Sequence, residues 1–343
     1  MAHGLLDPAP EVYAGLKEIL AGFPASAVIT ENINLGALPL AIEHPPGERP
    51  ALITLGVIPP SFTSADAPPF GPGLLPLAGE RGRARDQAVR EQMAVIFDPV
   101  HAYFVKVFGA MGLPVRDSVF DTLAKVPDHY LQLTIPSFEY PRGDAPASFR
   151  CVGPVLPEPA GNVEPPGWWA DLDGGRPVVA VTQGTLENRD FSALIAPTLR
   201  ALADLDVTVV AATGTEDGPD RLRAELGEVP ANARLAGFVP FDRLLPLTDV
   251  LVTNGGYGGA HIALSHGVPM VVAGEAQDKP EVAARVEWSG TGVNLRTDRP
   301  SEDAVRAAVR DILGGGGFRD RARALRAEMR EYDALGAIAA LVG

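Results

Sequence analysis

The stretch from Leu251 to Lys279 holds the residues whose types and spacing are best suited to chemistry. A short apolar run ends at Thr253, and residues Asn254 to Gly259 then include four glycines before an apolar-periodic segment. Glycines let backbone N–H groups approach phosphate oxygens, and the N-terminus of a following helix adds partial positive charge. A tight strand-to-helix turn without a ligand explains the same residues, so the turn alone leaves both interpretations open.

This turn is part of a longer ordered block. The block contains, in order, Gly237-Phe238-Val239-Pro240, Leu244-Leu245, Asp249, the TNGGYGG turn, Ala263-Leu264, Gly267-Val268-Pro269 and Asp278-Lys279. It resembles the donor-binding motif of the family 1 glycosyltransferases, which have the GT-B fold. The resemblance implies that the second half of the chain binds a nucleoside diphosphate sugar. It also implies that neither a metal ion nor another cofactor is needed.

The resemblance assigns roles to individual residues in this half. Thr185 matches a residue that hydrogen-bonds the donor phosphate, although a turn cap explains it too. Phe238 matches an aromatic residue that lies against the nucleobase, and a core position beside the sheet is the alternative. Asp278 matches a residue that contacts sugar hydroxyls. The implied donor-binding set is Gly184, Thr185, Phe238, Val239, Asn254, Gly255, Gly256, Tyr257, Gly258, Gly259, Asp278 and Lys279.

Three positions depart from the family pattern. Asn254 replaces a histidine, which removes a possible positive charge at the diphosphate but keeps a neutral donor. Ile262 stands where a glutamate grips the ribose hydroxyls, and the neighbouring His261 either compensates or lies on the helix surface. Lys279 replaces glutamine, and its ammonium group can pair with Asp278 or reach the diphosphate. These departures weaken the expectation of full activity.

Length and composition limit the classes of protein to which the chain can belong. Its 343 residues are enough for two domains, and a formal net charge of −14 argues against nucleic acid and anionic membranes as partners. The single cysteine, Cys151, cannot form an internal disulfide and fits a reducing cytoplasm. We see no secretory signal and no apolar run long enough to span a membrane. The low share of lysine among the basic residues, with abundant Ala, Gly and Pro, suggests a bacterial source.

The periodic segments predict the elements that position the site. Buried strands alternate with helices from Arg176 onward, which predicts parallel βαβ units in a doubly wound α/β sheet. Ligands bind at the carboxyl ends of such strands, where both Gly184 and the TNGGYGG turn are expected. We predict an acceptor-side Rossmann-like domain over residues 1–155, a Pro- and Gly-rich linker over 156–175 and a donor-binding Rossmann-like domain over 176–325. By the resemblance, a final helix over 326–343 returns toward the first domain, as part of one amphipathic helix over 318–342.

The first half is predicted to be an incomplete domain of about four strands. The family has a histidine base after its first strand, and no segment before Asp7 matches that strand, so we expect the front of the domain to be absent. Glu31, in AVITENINLGALPL, stands where the family places an aspartate that orients this base. A carboxylate capping the next helix is an equal alternative. The exposed edge of such a sheet predicts self-association.

These observations favour an inverting glycosyltransferase. It would move a sugar from a UDP or dTDP donor to a hydroxyl group of an apolar small-molecule acceptor. A donor-binding or interaction protein without transferase activity is the alternative, favoured by the missing base and by the departures at Asn254, Ile262 and Lys279. A sugar-nucleotide epimerase of the same fold is disfavoured because no acidic catalytic cluster is apparent.

Overall fold

The structure is a computed structural model that describes residues 2–161, 164–184 and 187–342. The chain divides into two units. Unit 1 comprises Met1–Val155 and Tyr332–Gly343, and unit 2 comprises Leu156–Glu331. Thr185, one of the predicted donor-binding residues, lies outside the described residues.

Helices and short parallel strands alternate in unit 1. Its elements up to the first boundary are α1 (Ala2–Leu6), α2 (Ala9–Gly22), β1 (Ala27–Glu31), α3 (Leu38–Glu43), β2 (Ala51–Gly56), α4 (Gly79–Ala110), α5 (Val119–Lys125), β3 (His129–Gln132) and β4 (Phe149–Cys151). The strands pair in parallel in the order β1-β2-β3-β4. Because the order across the sheet equals the order along the chain, these described strands contain no reversal of strand order.

Both faces of this sheet carry buried apolar residues. Leu52 and Ile53 are neighbours on β2, so their side chains point to opposite faces, and both are fully buried. Leu52 belongs to a cluster with Phe104 and Phe108 of α4, whereas Ile53 clusters with Leu131 on the other face. The sheet is therefore covered on both sides, as expected for parallel strands.

Helix α4 packs against the rest of unit 1 by one face. Phe104 and Phe108 are fully buried, whereas Val95 and Ile96 are 79% and 60% exposed. By length and composition alone α4 is also suited to cross a membrane, a property that core helices of soluble proteins share. The expectation that no segment spans a membrane therefore stays a prediction.

Unit 2 continues the alternation of strands and helices. Its elements are β5 (Val178–Thr182), α6 (Ile195–Ala201), β6 (Thr208–Ala212), α7 (Gly218–Leu226), β7 (Ala233–Ala236), α8 (Phe241–Leu244), β8 (Val250–Thr253), α9 (Tyr257–Ser265), β9 (Met270–Val272), α10 (Lys279–Trp288), β10 (Gly292–Asn294), α11 (Glu302–Leu313) and α12 (Phe318–Met329). Every residue of β5, β6 and β8 is buried, which matches the continuous apolar runs from which these strands were predicted.

The strand order of unit 2 reverses once. The described strands form a parallel sheet in the order β10-β9-β8-β5-β6-β7. The chain runs from β5 through β6 to β7 on one side, and then returns to the other side of β5 to form β8. The reversal lies between β5 and β8, and in open parallel sheets such a point leaves a crevice at the carboxyl ends of the strands.

The prediction of one continuous C-terminal helix over residues 318–342 is wrong. Helix α12 ends at Met329, and a separate helix, α13 (Ala334–Val342), follows. The carboxylate of Asp333 accepts a hydrogen bond from the Gly336 N–H at 2.8 Å, which starts α13 in the manner of an N-cap. Residues of α13 then pack on the Ile53 cluster of unit 1. The apolar periodicity of the sequence continues across this break, so the sequence pattern did not reveal it.

A buried ion pair connects β2 to the residue before β3. The Asp128 carboxylate accepts a hydrogen bond from the Leu52 N–H at 2.7 Å and another from Arg49 Nη2 at 3.0 Å. The Arg49 side chain is only 3% exposed. Burial raises the pKa of Asp128, but the Arg49 guanidinium and the Leu52 N–H outweigh it and hold that pKa below its usual value.

We predict that Asp128→Asn lowers the free energy of unfolding by roughly 2–4 kcal/mol, because it leaves the buried Arg49 charge uncompensated. Since the pKa of Asp128 is lowered in the folded protein, its stabilisation is present above the unfolded pKa of about 4 and is lost as the pH falls through the folded value. Urea unfolding at pH 7 and pH 3 measures both effects. The control is Asp117→Asn, whose pair with Lys125 is half exposed and should cost less than about 1 kcal/mol. Equal losses in the two variants would contradict the role of Asp128.

Candidate functional site

A cavity of about 470 Å³ opens where the strand order of unit 2 reverses. Its wall includes Thr182 and Thr253, the last residues of β5 and β8, together with residues that follow β6 and β7. The sequence-predicted residues on the wall are Gly184, Phe238, Val239, Asn254, Gly256, Tyr257, Gly258, Gly259, Asp278 and Lys279. The fold thus brings together residues that the sequence only placed at separate strand ends.

The turn after β8 depends on glycine at position 255. Gly255 has φ +84°, and a Cβ atom there would lie 2.6 Å from Cγ1 of Val272 on β9. Its N–H donates to Thr253 Oγ1 at 3.3 Å. Gly255 therefore faces the neighbouring strand rather than the cavity, and its role is to shape the turn. Gly184, with φ +72°, makes the corresponding turn after β5.

Asn254 connects the two turns. Its Nδ2 donates a hydrogen bond of 2.6 Å to the Gln183 carbonyl oxygen. Helix α9 begins directly afterwards at Tyr257, preceded by Gly256, and the residues of its first turn line the cavity. The first N–H groups of a helix have no partner within the helix, and the helix dipole favours negative charge there. The arrangement is suited to binding an anion such as a phosphate group.

Phe238 lies on the cavity wall beside Val239 with 63% of its surface exposed. The alternative that it is a core residue beside the sheet is therefore wrong. A large exposed aromatic ring at the rim of a cavity provides a flat apolar surface on which a planar ligand group can stack. The stacking itself stays a prediction.

Asp278 and Lys279 are neighbours on the cavity wall, but they are not each other's ion-pair partners. Lys279 Nζ pairs with the Glu187 carboxylate at 3.0 Å and donates to Gln277 Oε1 at 3.2 Å, so its ion-pair partner is Glu187 rather than Asp278. Burial raises the pKa of Asp278, and the charges of Glu187 and Glu281 raise it further, against the opposing effect of Lys279. Asp278 consequently takes up a proton at a higher pH than an ordinary aspartate.

His261 is buried, and both sequence interpretations of it are wrong. It is only 2% exposed, its ring packs edge-on against Tyr257 at 4.4 Å, and Nδ1 lies 2.8 Å from the Tyr257 carbonyl oxygen. Neither His261 nor Ile262 is among the described residues that line the cavity. Both belong to α9 beyond its first turn, so the packing of the helix directs them away from the site.

Sequence reasoning missed several residues of the cavity wall. They are Gln183, Glu187, Gly214 and Gln277. Gly214 follows strand β6, so the rule that ligands bind at strand ends was a usable signal for it. No local pattern predicts that Glu187 belongs to the site, because its role is to pair with Lys279, which is distant in the chain.

Glu31 lies in unit 1, at the end of the edge strand β1. It is exposed, and its side chain makes no hydrogen bond or ion pair among the described residues. The alternative that it caps the next helix is wrong, because Asn34 Oδ1 accepts the hydrogen bond from Gly36 N–H at 3.0 Å. A role in orienting a catalytic base stays a prediction.

Comparison with known proteins finds relatives over almost the whole chain. The family model for the C-terminal domain of erythromycin biosynthesis protein CIII-like proteins matches residues 196–334. The chain is 42% identical to 4'-demethylrebeccamycin synthase of Lentzea aerocolonigenes, over 96% of this chain and 76% of that protein. It is 37% identical to UDP-glycosyltransferase 2 of Phaeomoniella chlamydospora, over 99% and 76%. The crystal structure of the kitacinnamycin glycosyltransferase matches with a TM-score of 0.67 and 25% identity, over 95% of this chain and 77% of that one.

We predict that Gly255→Ala lowers the free energy of unfolding by roughly 2–4 kcal/mol, since the new methyl group meets both an unfavourable φ and Val272. Gly112→Ala is the matched control, because Gly112 has φ +77° and open space around its Cβ direction. The control should cost only the backbone strain of about 1–2 kcal/mol. Urea unfolding followed by circular dichroism measures both variants. Equal costs would show that contact with β9 does not restrict this turn.

Proposed function

The chain belongs to the GT-B glycosyltransferases, and from that membership we propose that it transfers a sugar, with inversion, from a UDP or dTDP donor to a hydroxyl group of an apolar small molecule. The α/β fold with parallel sheets is the fold of this family, as the sequence predicted. The donor base, inversion and the apolar acceptor are parts of the proposal. Independence from metal ions and a cytoplasmic location also stay predictions.

The cavity at the strand-order reversal is the observation that carries the proposal. It combines the first turn of α9, suited to a diphosphate, with the exposed ring of Phe238, suited to a nucleobase. Asp278 lies on the same wall and can accept hydrogen bonds from sugar hydroxyls. A small-molecule acceptor is supported by the relative named 4'-demethylrebeccamycin synthase.

A donor-binding protein without transferase activity is the second candidate. Inverting transfer needs a base within hydrogen-bonding distance of the acceptor hydroxyl. Glu31 stands at the position of the residue that orients this base, yet its side chain has no histidine partner among the described residues. This observation favours the alternative, and activity measurements separate the two.

We expect UDP or dTDP to bind this chain with a dissociation constant below about 1 mM by calorimetry. Phe238→Ala should weaken binding roughly threefold to tenfold through the lost stacking. Phe23→Ala, which removes a similarly exposed ring in unit 1, should leave binding unchanged. Mass spectrometry of reactions with UDP- and dTDP-sugars and aromatic hydroxyl acceptors then tests transfer. Binding without product supports the second candidate, and absence of binding at millimolar nucleotide refutes both.

We also propose that the chain self-associates through the edge of the unit 1 sheet. Among the described strands, β1 pairs only with β2, so its other side presents backbone groups that no described strand pairs. Ile29 of β1 and Ile33 beyond it are 46% and 40% exposed. A groove of about 310 Å³ beside the strand is lined by apolar residues of α2 and β1 together with Thr30, Asn34 and Ala37. A second copy can cover this edge by strand pairing.

We predict a dimer at micromolar concentration in light scattering, and a monomer for Ile29→Lys, because a lysine on an edge strand opposes pairing. Val95→Lys is the matched control, since Val95 is an exposed apolar residue on α4. Loss of the dimer in the control alone would place the interface at α4. A monomeric wild-type chain would refute the proposal.

A further inference from the structure

Lys279 is held beside the turn that is suited to a diphosphate. It is the first residue of α10 and only 6% exposed. Gly274 leaves the space for its side chain, because a Cβ atom there would lie 2.9 Å from Lys279 Cδ and 2.1 Å from the Asn254 carbonyl oxygen. The aliphatic part of Lys279 therefore packs close to the Asn254 turn, and its ammonium group is positioned at the cavity wall.

The other charges on the cavity wall are negative, so this ammonium group matters for attracting an anionic ligand. Lys279 is the one cation among the described residues that line the cavity, and Glu187 and Asp278 are carboxylates on the same wall. A nucleoside diphosphate brings further negative charge next to them. Asn254 cannot compensate for this charge, because its amide is neutral. The helix dipole of α9 and Lys279 are thus the positive groups available to the ligand.

Among the described residues, the hydrogen-bond partners of Lys279 leave one of its donors unused. An ammonium group has three N–H donors. One faces the Glu187 carboxylate at 3.0 Å and another faces Gln277 Oε1 at 3.2 Å. Glu187 and Gln277 thereby fix the position of the charge while a third N–H remains for a ligand oxygen.

We propose that Lys279 binds the β-phosphate of the donor and stabilises the departing nucleoside diphosphate, an inference that rests on the proposed function. In the transfer, the acceptor oxygen bonds to the anomeric carbon and gives its proton to a general base. The bond between that carbon and the β-phosphate oxygen breaks, and its electron pair stays on the phosphate. The ammonium group lies where this negative charge increases, so its attraction grows in the transition state.

Calorimetry with the nucleoside diphosphate, the monophosphate and the nucleoside tests this contact, using whichever of the UDP or dTDP series the wild type binds. Lys279→Met should weaken diphosphate binding roughly 10- to 100-fold, with less than about a threefold change for the monophosphate. Lys279→Arg should restore most of the diphosphate affinity. Arg296→Met removes a cation of unit 2 outside the cavity wall and should change none of these constants.

Each other outcome overturns the inference in a recognisable way. Equal weakening of diphosphate and monophosphate by Lys279→Met would show that Lys279 only shapes the cavity, and urea unfolding of the variant reports any loss of folding. Weaker binding of the nucleoside diphosphate sugar with unchanged diphosphate binding would assign Lys279 to the sugar. A wild type that binds no nucleoside diphosphate would refute the proposed function itself, whereas normal binding by Lys279→Met would refute this inference alone.

Discussion

The reversal of strand order beside β5 is the constraint on which the candidate site depends. The chain returns from β7 to form β8 on the opposite side of β5, so connections leave the two strand ends in opposite directions. The left-handed backbones of Gly184 and Gly255 let both ends turn sharply there. Asn254 then joins the two turns by its hydrogen bond to Gln183. The described strands of unit 1 run in chain order and provide no comparable opening.

The net charge of the chain does not argue against the proposed anion site. A net charge of −14 describes the average surface, whereas binding depends on the groups within a few ångströms of the ligand. Here the N-terminus of α9 and Lys279 lie on the same cavity wall as Glu187 and Asp278. Glu187 positions the lysine, and burial raises the pKa of Asp278. For the proposed binding of a diphosphate, the balance between these groups matters more than the total charge does.

Much of unit 2 and its glycine turn follows from local signals. Continuous apolar runs predicted β5, β6 and β8, and the glycines after β8 predicted a turn with unusual backbone angles. Local signals failed where packing against other parts of the chain decides where a helix ends or where a side chain lies. The apolar periodicity of residues 318–342 continued across the break before Asp333, and His261 was placed at the surface or in the site although it packs against Tyr257.

The residues alone determined three features: the alternation of strands and helices, the family, and the glycine turn before α9. Each of them depends on backbone preferences or on neighbours in the chain. Tertiary structure was needed to show that Glu187 pairs with Lys279 and that β1 forms an edge with Glu31 at its end. Both facts depend on which strands become neighbours across a sheet. That order arises from the packing of distant segments, and no local pattern of residue types records it.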